Sequence, residues 1–349
     1  MAVFCRTLIE VSLTVLVGST VAMAGGLPDP LFQEGHTLDV TITAPFTTLL
    51  KERSAEEDLA GVFEYAQTDG TAIKLDIKIR TRGHFRLENC RFPPLRLNFK
   101  KSLTDETLFD KQDKLKLVVQ CDRSARYEQS LLREYLAYRI LNALTDLSFR
   151  VRLLRVTYVD SEGGRPTKVR FAFLTEHKSR LGKRYGMKEL KVGKTGIESL
   201  QAGPLNLTSL FQFFISNTDF SPIRSAPNRD CCHNYALFDN ENDDDSLLTV
   251  PYDFDLSGFV NAIYAKPDSR LGLRNVRERF YRGRCVNNKY VANSLRQFQT
   301  SRGEIYTLVN EQEGLSSKVR LSIVRSIDRF YEIIDEPRQV ERQLVSKCI

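Results

Sequence analysis

The chain has 349 residues, 42% of them hydrophobic and 27% charged, the composition of a globular protein with one large or two medium cores. It carries no internal repeat and no low-complexity tract. Its net charge of +7 favours anionic partners, but Lys and Arg are spread along the chain and no nucleic-acid-reading motif occurs, so nucleic acid is not an expected partner.

Residues 1–24 read as a secretory signal peptide: Arg6, then the apolar run "VSLTVLVGSTVAMA", then a small-residue cleavage pattern at Ala24. An uncleaved anchor is the rival, but the run falls short of the about 20 residues a bilayer span needs. No later segment is apolar enough to cross a membrane. The expectation is an exported protein, secreted or periplasmic in the cell envelope, with no stable span after cleavage. Cleavage removes Cys5 and leaves Cys90, Cys121, Cys231, Cys232, Cys285 and Cys348. An even set in an exported chain predicts disulfides. Cys90 with Cys121 is the most local pairing, and one of Cys231 and Cys232 with Cys285 is the next. The "CCH" cluster lacks a CxxC or HxxxH partner, which argues against a zinc site.

In chain order, residues 38–99 read as β: "TLDVTITAP", "GVFEYAQ" and "AIKLDIKIRTRG" alternate apolar and polar residues, with a "TDG" turn between the last two. "PPLRLNF" and "KLKLVVQC" add short strands. The period then becomes helical in "SLLREYLAYRILNALTDL", whose Leu131, Leu132, Tyr135, Leu136, Tyr138, Ile140 and Leu144 form a broad stripe. "FRVRLLRVTYVD" and "KVRFAFLTEH" read as a hairpin around "SEGGRP". Residues 178–200 are polar and Gly-bearing and read as a hinge. A helix follows ("SLFQFFISN"), then a hairpin of "HNYALFDN" and "SLLTVPYDFDL", then helices from Asn293 onward. The organisation expected is a β-rich N-terminal lobe over residues 25–178 with one long helix, and a helix-rich C-terminal lobe over residues 179–349 with a small hairpin. A cleft between the two is where a ligand would sit.

Several motifs fail on their own terms. "GKT" at Gly193 lacks the earlier glycine of a phosphate loop, since Lys188 stands there. The acidic loop from Asp239 lacks the Gly and Glu of a calcium loop. "NLT" at Asn206 is a formal glycosylation sequon, and the four His residues make no Ser-His-Asp order.

The acids stand apart. "NTDF" ends a helical run with Asn217 and Asp219, Asn234 opens one hairpin strand, and Asp253 and Asp255 end the other in "VPYDFDLSGF". On a continuing strand Asp253 and Asp255 would share a face. Two like charges on one apolar face need a positive partner, a metal ion above all. Phosphoryl transfer calls for such a set: one carboxylate to orient the attacking hydroxyl, an amide oxygen and a second carboxylate for magnesium. The competing account has Asp219 capping a loop and the other two acids paired with Arg or Lys.

The residues in this order resemble the spore-coat CotH-like atypical kinases, over roughly residues 70–260. The resembling pieces are Arg80-Thr-Arg-Gly83, Arg133-Glu-Tyr-Leu-Ala137, Phe173-Leu-Thr-Glu176, Asn217-Thr-Asp219, Asn234-Tyr-Ala-Leu237 and Pro251-Tyr-Asp-Phe-Asp255 with Gly258. The resemblance implies an α+β, two-lobed protein-kinase-like fold and a transferase using ATP and magnesium on protein hydroxyls. It makes Asp219 the catalytic Asp, with Asn234 and Asp253 or Asp255 on the metal. Glu134 would pair with a nucleotide-contacting lysine, Lys116 first and Lys114 second. Glu176 falls on the nucleotide side. Where the family has a "PKK"-like segment this chain has Cys90-Arg-Phe-Pro-Pro94, and Arg82 or Arg96 would supply the charge. The alternative is a non-catalytic envelope or coat-assembly protein on the same scaffold.

Overall fold

Alternation along the first strands decides the architecture. In the computed structural model, which describes residues 25–33, 35–240 and 246–349, β1 (Leu38–Ala44) buries every second side chain, and β3 (Ala72–Thr81) turns Leu75, Ile77 and Ile79 inward. Between them β2 (Leu59–Ala66) is joined to β3 by a turn in which Gly70 has φ +84°, a conformation glycine adopts freely. β4 (Leu95–Phe99), β5 (Lys114–Val119), β6 (Val151–Asp160) and β7 (Lys168–Thr175) complete the sheet. The order is β1-β2-β3-β4-β5-β7-β6, and β6 returns to lie parallel to β1, so seven strands close into a barrel. Closure pairs both edges that an open sheet would leave bare. The interior is filled by Ile42, Phe63, Leu95, Leu97, Leu117, Leu154 and Leu174, with the Phe63 ring 5.4 Å from Phe99 and 4.9 Å from Phe109.

This closed barrel overturns the expected two-lobed protein-kinase-like fold, whose β-rich lobe is not a barrel. The alternation of each strand was readable. What it does not carry is that the first strand meets the sixth.

The long helix α3 (Ala125–Leu144) is buried nearly all round rather than along one stripe, Arg133 and Glu134 included. It packs on β6 and β7 on one side and α7 (Arg302–Glu311) on the other. The expected hinge at residues 178–200 holds a short helix, α4 (Lys178–Tyr185), and a strand, β8 (Met187–Glu189). That strand adds to the hairpin of β9 (Tyr235–Asn240) and β10 (Leu247–Pro251), giving a three-stranded sheet in the order β10-β9-β8. The remaining α-helices among the described residues are the short α1 (Phe46–Glu52), α2 (Phe85–Asn89) and α9 (Pro337–Gln343), with α5 (Ala202–Phe214), α6 (Val291–Thr300) and α8 (Ser317–Ile334). Along α8, Ile323, Ile327, Phe330 and Ile334 recur at helical spacing and enter the core, each stabilising by about 1.5–3 kcal/mol. Phe330 lies 4.9 Å from both Phe214 and Phe298, ring to ring.

The expected signal peptide and most of the acidic loop after β9 lie outside the described residues. No helix among the described residues is long and apolar enough to cross a membrane. The disulfides are Cys90–Cys121, Cys231–Cys232 and Cys285–Cys348. The local Cys90–Cys121 pairing is as expected, whereas the neighbours Cys231 and Cys232 bond each other and leave Cys285 to the C-terminal Cys348.

The bridges of Cys90–Cys121 and Cys285–Cys348 close loops of 31 and 63 residues. By loop entropy each should stabilise the chain by about 4 kcal/mol, the second slightly more. Serine pairs at each bridge, unfolded in urea, should show losses of that size and order; an unchanged midpoint would count against it.

Candidate functional site

Three turns of backbone bring the acids together. After α5 the chain reverses at Ser216, φ +52°, and the Asn217 amide donates back to the Gln212 carbonyl at 2.8 Å. The Asn217 side chain then donates to Gln212 Oε1 at 2.9 Å and accepts from the Asp219 amide at 3.0 Å, which fixes the "NTD" loop. Asn234, φ +56°, stands just before β9 and donates from Nδ2 to the Asp219 carbonyl at 2.7 Å and to Asp219 Oδ2 at 2.9 Å. His233 Nε2 meets the other carboxylate oxygen, Oδ1, at 2.8 Å. Asp219 thus has one partner on each oxygen and stays partly open to solvent.

β10 ends at Pro251, so "DFD" is not a strand and the expectation that Asp253 and Asp255 share a face fails. Asp253 has φ +63° and its amide donates to the Tyr138 hydroxyl at 2.8 Å, leaving the side chain exposed towards the cleft. Phe254 is fully buried. Asp255 lies inside, accepting from the Tyr264 hydroxyl at 2.9 Å. Burial, with the Asp253 charge adding to it, pushes the Asp255 carboxyl up to about 7, against the pull of Arg86. Gly258 has no room for a side chain: a Cβ there would stand 2.2 Å from the Val276 carbonyl oxygen.

Glu134 faces the same interior from α3, and burial raises its carboxyl well above the usual range. Its cationic partner is Arg86, at 3.7 Å, and not Lys116 as expected. Burial opposes the Arg86 charge, but Tyr264, Glu134, Asp255 and Asp253 outweigh that and hold its proton more firmly than usual. Lys116, on β5, instead places its ammonium 5.1 Å from the centre of the Tyr252 ring, with Lys178 at 5.0 Å from the same ring. Burial, then the charges of Arg82 and Lys178, bring Lys116 down to about 7. Lys178 is itself paired with Glu189 at 2.9 Å. Burial likewise lowers Arg82, which Asp253 partly offsets. Glu176 is committed elsewhere: its carboxylate takes Arg184 through both oxygens, at 2.9 and 3.0 Å, and also the Arg150 amide.

Eight of the residues singled out from sequence (Arg82, Lys116, Glu134, Glu176, Asp219, Asn234, Asp253 and Asp255) line one cleft of about 670 Å³ between the barrel and the helical part, whereas Arg96, the alternative to Arg82, does not line it. Lys114 lines it as well. Sequence reasoning missed Arg86, Lys178, His233 and Tyr252, though each neighbours a chosen residue. His233 directly precedes Asn234, yet neither the zinc pattern nor a Ser-His-Asp order picks it out. Among the described residues no three His, Cys, Asp or Glu side chains stand close enough to hold a metal ion by themselves. Two carboxylates, an amide and a ring of cations can, however, hold a phosphate-bound magnesium, which takes one or two carboxylates and fills its shell with water and phosphate oxygens.

No family model matches the chain, and no curated protein matches it.

The Asp219 hydrogen bond raises the His233 pKa above its ordinary value, burial opposing. Its stabilisation is therefore complete below about pH 6.5 and lost as pH rises through the raised folded value. An NMR titration should place His233 above 6.5 and return it towards the ordinary value in Asp219→Asn; equal values in both proteins would exclude the pairing. Arg86→Met leaves two buried carboxyls without their cation and should cost about 3–5 kcal/mol near pH 8. The cost should shrink as pH falls below 7, where Asp255 takes a proton, and denaturant unfolding across pH reads this directly.

Proposed function

We propose that the cleft is the active site of an exported ATP-dependent phosphotransferase acting on hydroxyl groups of protein substrates. One observation carries the reading: Asp219, Asn234 and Asp253 open onto the same 670 Å³ space as the cations Arg82, Lys116 and Lys178. A volume of that order suits a nucleotide. The ordered motifs that resemble the CotH-like kinases support it as well, independently of the barrel. Three disulfides accord with an oxidising compartment, secreted or periplasmic.

In this reading the oxygen of the substrate hydroxyl forms a bond to the γ-phosphorus while Asp219 accepts the hydroxyl proton. The bond from that phosphorus to the bridging oxygen breaks, and ADP leaves with the electron pair. His233 and Asn234 hold the Asp219 carboxylate in place, one hydrogen bond to each oxygen. Asp253 and the amide oxygen of Asn234 would hold magnesium, which supplies charge neutralisation at the phosphates. Asp255, buried on Tyr264 and Arg86, positions the Asp253 loop rather than reaching the ligand. Arg82, Lys116 and Lys178 meet phosphate oxygens. Lys116, near 7 without an anion beside it, gains its full charge when one arrives.

A second reading, a non-catalytic envelope or coat-assembly protein, has its own support. Glu134 is taken by Arg86, so no carboxylate pairs with Lys116 among the described residues.

The mature chain, given magnesium, labelled ATP and a generic protein substrate, should transfer label. Asp219→Ala should reduce the rate by about 100-fold or more, and Asp253→Ala should abolish magnesium dependence with it. Nucleotide binding without transfer in the unaltered protein would favour the non-catalytic reading. Transfer that survives both substitutions would place the chemistry elsewhere.

A further inference from the structure

A second cleft, of about 420 Å³, shares no residue with the first and lies beside α1, where β5 and β6 end and β7 begins. Its floor is aromatic. Phe46, Phe92 and Tyr158 pack on one another, with ring centres 5.5 Å apart for Phe46 and Tyr158 and 5.1 Å for Phe92 and Tyr158. Leu50, Val119 and Phe171 extend the apolar surface.

Its rim is basic. Of the cations there, Arg91 is paired with Asp122 at 3.5 Å, and Arg53 is spent on the carbonyls of Leu50 and Leu87. Asp160, the other acid, accepts from the Thr47 hydroxyl and amide. Arg170 donates to the Val169 carbonyl, and Arg123, Arg165 and Lys168 line the cleft with no ion pair among the described residues. An unspent cation over an apolar floor is what an amphipathic anion matches.

Tyr158 supplies an independent observation. The residue is 8% exposed, its ring forms part of the floor, and its hydroxyl has no hydrogen-bond partner among the described residues although it is shut away from solvent. A buried hydroxyl is nearly always satisfied, so one without a partner at the lining of a cleft marks a place for a ligand oxygen. Most of the lining is apolar, with the cations gathered at its rim, so the cleft matches an amphipath with an anionic head better than a nucleotide triphosphate.

We propose that this cleft binds a small amphipathic monoanion, an acyl or aryl carboxylate, with its apolar body on Phe46, Phe92 and Tyr158 and its head met by Lys168, Arg165 and the Tyr158 hydroxyl. The site is independent of the phosphotransferase reading, and its test leaves that reading untouched. The mature chain is titrated calorimetrically with decanoate, 4-phenylbutyrate, decanol and acetate. At least one of the two larger carboxylates should bind saturably, decanol should bind at least about tenfold more weakly, and acetate should not saturate. Tyr158→Phe keeps the ring and removes the hydroxyl; it should weaken the carboxylate by roughly tenfold, as should Lys168→Ala. Thermal midpoints establish that both variants are folded, and exposed Arg165→Ala gives a third variant with no burial at stake. Asp219→Ala should bind as the unaltered chain does. The proposal is overturned if neither carboxylate saturates, if decanol binds as tightly as decanoate, or if binding is unchanged in Tyr158→Phe and Lys168→Ala.

Discussion

Glu134 and Asp255 are carboxylates held where water does not reach, and one guanidinium stands between them and the charge they would otherwise carry unpaired. Removing two such groups from water costs several kcal/mol each unless a cation with good geometry offsets it. Arg86 is that cation, and the region is built to keep it in place. Its Nη2 donates to the Val119 carbonyl at the end of β5, and its own segment is tied to the same strand end by the Cys90–Cys121 bridge. The Phe92 amide adds a 3.2 Å hydrogen bond to the Cys121 carbonyl. Phe85, 5.4 Å from the Tyr264 ring, lies over the group. The disulfide therefore fixes more than a loop: it keeps a short helix on the barrel so that α3 can carry a carboxylate through the middle of the molecule.

The cleft follows from that arrangement. With Asp255 anchored below on Tyr264 and Phe254 packed 4.6 Å from Tyr138 and 5.3 Å from Phe211, only Asp253 is left to face solvent. Tyr138 serves twice, as a wall for Phe254 and as acceptor for the Asp253 amide. The acids of the site are thus held by α3 from one side and by the β9–β10 sheet from the other, while the cations come mainly from the barrel. A ligand with a negative tail and a neutral end would lie along that division of charge.

The sequence was informative about elements and poor about partners. Period-two alternation located the barrel strands, and helical spacing located α3, α6, α7 and α8, because each pattern reports which side of one element is buried. Closure of the barrel depends on Val40 lying opposite Val156 in a parallel pair, and no local pattern encodes a partner so far along the chain. The same limit shaped the site. Asp219, Asn234 and Asp253 fall in one cleft because loops after a helix and at the end of a hairpin converge. The Lys116–Glu134 pair does not form, because Arg86 reaches Glu134 first and Tyr252 draws Lys116 to its ring face. Pairing among buried charges is settled by distances of a few ångströms, which spacing along the chain does not specify. Cys285 shows it again: its partner is at the C-terminus, where the last turn of chain returns to it through hydrogen bonds at Cys285 and Gly283.

The backbone around Asp219 explains why a strand rule misjudged Asp253 and Asp255. Ser216, Asn234 and Asp253 all adopt left-handed φ, between +52° and +63°, and none is glycine. Such a conformation is disfavoured for an L side chain, less so for Asn and Asp, whose short polar groups bond locally. Each is held by a specific hydrogen bond: Asn217 to Gln212 beside Ser216, Asn234 to Asp219, and Asp253 to Tyr138. A left-handed residue turns the chain away from the extended direction, so the alternation of faces stops there. At Asp253 this sends one carboxylate out to the cleft and lets the next acid fold back beneath it. Two acids that would have repelled each other on one face are thereby given different surroundings, one open to the cleft and one buried on Tyr264, which an extended "DFD" could not do.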